Sequence, residues 1–249
     1  MLRRLTMLAA VVALAGPAVA YEVAPVPDAG AVAGVVRFVG TPPRLDPLTV
    51  SRDREACGDQ KDAEVLALGP ERGVRGSVVL VHGVTRGKKA AGEAVLDNRG
   101  CVFVSHVTAV TLGDRTRVKS SDDTLHHTRG TLGTTPVFNL ALPSREQMID
   151  ITRRLTSPGA IRIVCDAHPH MTAWLIVHDS PYHAVTDERG GYRIDGVPPG
   201  TYRISMWHEG YRPRGLDRDG RPLYDAPRTR TKDVTIAPGA TATADFELR

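Results

Sequence analysis

Three kinds of soft or borderline metal donor converge in Cys165-Asp166-Ala167-His168-Pro169-His170-Met171. The run leaves the alternating stretch Ile161-Arg162-Ile163-Val164 and re-enters an apolar one at Trp174, so it reads as a loop between two strands. A mononuclear blue-type copper site takes a thiolate in a short strong bond, two imidazoles in the same plane and a weak axial thioether. The spacing C-x2-H-x2-M lets one short loop deliver Cys165, His168 and Met171. The second imidazole must arrive from a neighbouring strand, and the segment 120–128 offers His126 and His127 for it. His127 and His170 also fit as added ligands of a more open site, the arrangement a copper carrier would use. His82, His106, His178, His183 and His208 lack such spacing and read as satisfied surface or core histidines, with His106 the one nearest the cysteine-bearing strand at 101.

The positions around this loop set its compartment. Residues 1–20 run Arg3-Arg4, an apolar stretch over 5–15, Gly16-Pro17 and Ala18-Val19-Ala20 ahead of Tyr21, the order of a Sec-type signal peptide cleaved after Ala20. No later segment has transmembrane length, and no lipobox cysteine follows the leader, so a soluble periplasmic protein is expected. An exported chain usually pairs its thiols, and three cysteines leave one over. Cys57 and Cys101 sit in loop-like or strand-entry contexts, which favour a Cys57–Cys101 disulfide with Cys165 free or metal-bound.

Composition narrows the rest. The 249 residues are 41% hydrophobic and 24% charged, which excludes disorder and fibre. The net charge of +4 includes two leader arginines, and no run of five basic residues is present, so nucleic acid is not an expected partner. Signatures for haem attachment, paired-cysteine zinc sites, metalloprotease zinc, serine nucleophiles and phosphate loops are all missing, and no enzyme activity is expected. Beyond a Pro/Ala/Gly-rich arm at 21–30, short Val/Ile/Thr-rich strands are expected at 32–39, 77–82, 101–110, 115–119, 136–142, 160–165, 173–177, 191–194, 201–207, 233–236 and 244–248. The best helical candidate is 51–57. Many short strands fenced by Gly, Pro, Asp and Asn predict an all-β sandwich architecture. A shift near residue 178 divides the chain into 31–178 and 179–249. The piece 185–194 is expected to be a hairpin, and the charged stretch 209–231 a solvated surface loop.

The copper-type loop resembles the cupredoxin family, and amicyanin-like members in particular, where Pro likewise follows the second ligand His. Residues 179–249, with Thr186-Asp187-Glu188-Arg189-Gly190-Gly191-Tyr192-Arg193-Ile194 and Val197-Pro198-Pro199-Gly200-Thr201-Tyr202, resemble the carboxypeptidase regulatory-like, transthyretin-like module. The strand at 32–39 also has the look of that module's opening strand. Together with 101–107, these features are similar to bacterial methylamine-utilisation-type proteins that join the two folds. The resemblance implies a Greek-key cupredoxin sandwich followed by a smaller regulatory-like sandwich, with one type 1 copper ion held by His126, Cys165, His168 and Met171. His127 stands where the family commonly has Asn, and His170 where it has a bulky apolar residue. The function implied is a periplasmic single-electron carrier serving an unidentified redox partner, with His168 on an exposed loop as the electron port. Two alternatives stand beside it: copper sequestration or delivery, and an exported structural or glycan-binding module presenting Tyr202, Trp207 and Tyr211.

Overall fold

The computed structural model describes residues 21–90 and 92–249, and the leader expected at 1–20 lies outside them. The chain is all-β, with a single four-residue α-helical turn, Arg54–Cys57, among the described residues. No helix of the described residues is long and apolar enough to cross a membrane.

Two sandwiches account for most of the strands. In the first, a five-stranded sheet runs in the order Val107–Thr111, Thr172–His178, Gly159–Cys165, His126–Leu132, Thr135–Leu142. It faces a four-stranded sheet ordered Phe103–Val104, Glu93–Asn98, Arg115–Ser120, Met148–Asp150. The two share one core that includes Leu96, Phe103, Val118, Leu140, Ile161, Ile163 and Leu175. Successive strand side chains point to opposite faces. In Gly159–Cys165 that period sends Ile161, Ile163 and Cys165 into the core, with Cys165 last in the strand. In His126–Leu132 it sends His126 and Thr128 inward and turns His127 and Arg129 away. The two strands pair antiparallel, Thr128 opposite Cys165, so His126 and Cys165 meet at the same end of the sandwich.

The second sandwich corrects the division at residue 178. One of its sheets runs His183–Val185, Val78–Val81, Gly200–His208, Arg228–Ile236, and the other Gly191–Val197, Gly30–Phe38, Thr241–Thr243, with Phe246–Leu248 also on Gly30–Phe38. Strands 30–38 and 78–81 therefore belong with the C-terminal segments. The physical reason is their apolar faces: Val32, Val36, Phe38, Val79 and Val81 fill one core with Ile194, Ile204, Met206 and Phe246. Nor is 185–194 a hairpin. Asp187 accepts the N–H groups of Arg189 and Gly191 and closes the turn, but the strands on either side enter different sheets.

The sandwiches meet through a small apolar layer of Val78, Val107, Ile176 and Trp207, with Trp174 against Trp207 at 5.2 Å between ring centroids. Trp207 is buried, Tyr211 has no exposed surface and Tyr202 packs against the second core, so these three rings do not form the exposed platform expected of them.

A stack of three imidazoles also lies where the sandwiches join. His82 and His178 are 5.4 Å apart and His178 and His183 6.2 Å, both pairs 28° from coplanar. Ser205 bonds His82 and Thr111 bonds His183. Burial lowers all three below the ordinary imidazole value, His183 to about 4, with His178 and Lys88 adding to the effect on His183 and Asp179 opposing it at His82 and His178. A histidine depressed in the folded state takes its proton first in the unfolded chain, so its stabilisation is complete above pH ~6.5 and drains away as pH falls toward 4. Between pH 7 and 4.5 the loss through His183 is expected to be roughly 2–3 kcal/mol. Urea denaturation of the native chain and of His183→Gln at the two pH values checks this, and equal losses in both chains would count against it.

Candidate metal centre

The loop after Gly159–Cys165 turns at once. Its ends are tied by Cys165 N–H to the Met171 carbonyl at 3.2 Å and Met171 N–H to the His168 carbonyl at 3.0 Å. This brings His168 Nδ1 to 3.6 Å from Cys165 Sγ, and His126 Nδ1 lies 3.8 Å from the same sulfur. All three side chains are fully buried, and the two rings stand 5.0 Å apart. Met171 is buried in the same core as Cys165. His127 faces away, but its backbone N–H donates to Cys165 Sγ at 3.4 Å.

The donor set suits a single soft-to-borderline ion. Bond lengths of about 2.3 Å to sulfur and 2.0 Å to nitrogen, at roughly 110–120° between them, put S and N some 3.5–3.7 Å apart. The observed spacings are 3.6 and 3.8 Å. Burial pushes the Cys165 thiol above its usual range, against the pull of the backbone amides of His127, His168 and Ala167. Metal binding at this site therefore displaces a proton held by the apolar surroundings.

Each histidine has a carboxylate on its far side. His126 Nε2 meets Asp122 at 3.0 Å and His168 Nε2 meets Asp53 at 2.9 Å. Burial alone would raise Asp122, but the N–H groups of Cys101 and Gly100 and the His126 ring outweigh it and hold the acid below the usual carboxylate range. An ionised acceptor fixes the proton on Nε2 and leaves the Nδ1 lone pair aimed at the sulfur and any metal beside it. Asp53 begins the helical turn Arg54–Cys57, where an Asp commonly caps the first N–H groups. It makes no side-chain cap, sits in the left-handed region at φ 52°, and directs its carboxylate to His168 instead. Asp53→Asn and Asp122→Asn are each expected to weaken metal binding about 10–100-fold. Competition with a chromophoric chelator measures this, and unchanged affinity in both would refute a role in holding the rings.

The segment 51–59 covers the site, so the expectation of His168 as an exposed electron port does not hold: its ring has no exposed surface beneath Asp53. Cys57, the one buried residue of 51–59, is joined to Cys101 with Cα atoms 5.4 Å apart, and Cys165 is the free cysteine, as the odd count suggested. His170 is likewise internal. Its Nε2 donates to the Cys101 carbonyl at 3.1 Å, and burial lowers it to about 4.

The stretch 209–231 is not simply a solvated loop. Arg221, 4% exposed, reaches from it into the first sandwich and donates to the carbonyls of Cys165, Pro169 and Met171 at 3.0, 3.2 and 3.3 Å. Asp217 accepts the N–H groups of Asp219 and Arg221 and so shapes the turn that presents it. Asp166 is held by Arg129 through two bonds of 2.8 Å. Sequence reasoning passed over Asp53, Asp122 and Arg221. The available signals were the Asp four residues before His126 and the Asp-x-Asp-Gly-Arg turn at 217–221.

Residues 173–249 match the Carboxypeptidase regulatory-like domain. Among solved structures, a copper-containing nitrite reductase from Thermus scotoductus SA-01 aligns at 20% identity and TM-score 0.31, over 35% of this chain and 22% of the reductase. A methionine-to-alanine variant of amicyanin in its Cu(I) form aligns at 19% identity and TM-score 0.30, over 40% of this chain and 98% of amicyanin. An oxidised proline-to-alanine variant of amicyanin aligns at 24% and 0.31, over 36% and 86%. This chain thus spans under a quarter of the reductase's length. No curated protein matches the sequence. At TM-scores near 0.3, the functional reading rests on the site's own residues.

Proposed function

We propose that the mature protein is a periplasmic single-electron carrier with one type 1 copper ion, held by Cys165, His126 and His168 with Met171 as the weak axial contact. The observation that carries the reading is a buried sulfur faced by two imidazole Nδ1 atoms at 3.6 and 3.8 Å. When bound, copper supplies the reversible Cu(II)/Cu(I) couple. The chain's part is to keep the donors in place through both oxidation states. Asp122 and Asp53 fix the outer nitrogens, His127 N–H supports the sulfur, and Arg221 holds three loop carbonyls. With His168 covered, a redox partner would meet the segment 51–59 or the loop beside it. No bond-making chemistry is part of this reading.

The test is a visible and EPR spectrum after one equivalent of Cu(II) is added to the metal-free protein. An intense thiolate-to-copper band with narrow copper hyperfine splitting is the expected result. A colourless protein or an ordinary tetragonal signal would overturn the assignment. Copper sequestration or delivery is the second reading, favoured by one observation: His168 has sulfur on both sides of its ring.

A further inference from the structure

His168 looks toward two different sulfur groups. Nδ1 lies 3.6 Å from Cys165 Sγ, and Nε2 lies 3.7 Å from Cys57 Sγ in the disulfide. Cys57, Cys101 and His168 place one donor atom each within 4.8 Å of one another, and all three are buried. We propose that reduction of the Cys57–Cys101 disulfide creates a second, Cu(I)-selective site from these two thiolates and His168 Nε2, back to back with the Cys165 site. Two thiolates and an imidazole are donors that favour Cu(I).

The step balances with a dithiol reductant. One of its thiolates attacks a disulfide sulfur, the resulting mixed disulfide is resolved by its second thiol, and the reductant leaves as a disulfide. Two electrons have then passed to Cys57 and Cys101, which become thiols. Cu(I) binding releases their protons, and in a chain whose Cys165 site holds no metal the His168 proton moves from Nε2 to Nδ1, which frees the Nε2 lone pair for the ion.

Access follows from how the covering segment is held. Its residues 51–60 are exposed except for Cys57. Its ties to the rest of the fold include the two-residue strand pair Leu48–Thr49 with Gln60–Lys61, bonds of 2.9 Å from Val50 N–H to the Asp59 carbonyl and from Arg54 Nε to the Val50 carbonyl, the disulfide, the Asp53–His168 bond, and long contacts from Arg52 to the Ala167 carbonyl at 3.5 Å and from Thr124 to Asp53 at 3.3 Å. Cleaving the disulfide removes the covalent tie. Asp53, half exposed, must then swing off Nε2 for the ring to turn that nitrogen to the metal.

The test uses the full chain carrying Cys165→Ala, which removes the first site and separates this proposal from the electron-carrier reading. Cu(I) is titrated against bicinchoninate before and after reduction with a water-soluble phosphine, which is oxidised to its oxide as the two thiols form. The reduced chain is expected to hold about one equivalent that the oxidised chain does not, with binding weakened about 10–100-fold by His168→Ala. Equal competition by the two redox forms would overturn the proposal. X-ray absorption of the loaded, reduced chain needs no further variant: two sulfur neighbours and one nitrogen support the site, and a shell with one sulfur or none refutes it. The Cu(II) spectrum of the native chain tests the Cys165 centre independently.

Discussion

Cys165→Ala is expected to abolish the visible band completely and leave both sandwiches folded. The two halves of that result have separate causes. The sulfur is the only donor in the pocket able to form the strong charge-transfer bond, and Cys57 and Cys101 are joined to each other, so no free cysteine remains to replace it. For the fold, a metal-free buried cysteine behaves as a small hydrophobe. Its loss removes one sulfur from a core that keeps Ile161, Ile163 and Met171, at about 1 kcal/mol. Far-UV circular dichroism and a urea transition close to the native one would accompany a spectrum without the band. A variant that keeps the band would move the thiolate ligand elsewhere, and one that unfolds would make Cys165 a structural residue first.

Arg221→Ala is expected to cost about 2–4 kcal/mol and to release copper at least about tenfold faster. The guanidinium is the sole side-chain donor seen for the carbonyls of Cys165, Pro169 and Met171. Alanine would strand the Cys165 and Pro169 carbonyls in a buried space and leave the Met171 carbonyl only the Cys165 N–H, with entering water recovering part of the loss. Those carbonyls belong to the ligand loop itself, so the damage appears in metal retention as well as stability. Arg221→Lys is expected to rescue little, because an ammonium lacks the planar fork that spans three acceptors. Stopped-flow transfer of copper to a chelator and urea denaturation measure the two effects. Native release rates in Arg221→Ala would show that the loop holds its shape without the second sandwich.

The parts legible in the sequence were those governed by local period and by residue type. Alternation in 161–165 placed Cys165 inward at a strand end, and the odd cysteine count together with the loop-like contexts of Cys57 and Cys101 anticipated their pairing. The less legible parts depend on distant segments. Asp122 stands beside a turn, where a carboxylate ordinarily caps backbone amides, and it does accept Gly100 and Cys101 N–H, but the same group also reaches His126. Arg221 follows Arg212, Arg214 and Arg218, which face solvent, and only its depth in the fold distinguishes it. The division at 178 erred because a strand's own residues say that it needs a partner and not which one. Val78–Val81 is apolar on both faces, since one side meets the second core and the other the layer between the sandwiches.

Strand Gly30–Phe38 pairs with Phe246–Leu248, and Val35 N–H bonds Asp245 across 210 positions. During synthesis such a strand is among the first to be made and waits longest for this C-terminal neighbour, and contacts this remote are slow to form. The second sandwich can close only when those C-terminal residues have appeared. Arg221, which holds the metal loop, depends on that closure. Retained copper would therefore report that the chain had been made through to Leu248, whereas a chain cut short would have the ligands and lack the grip on them.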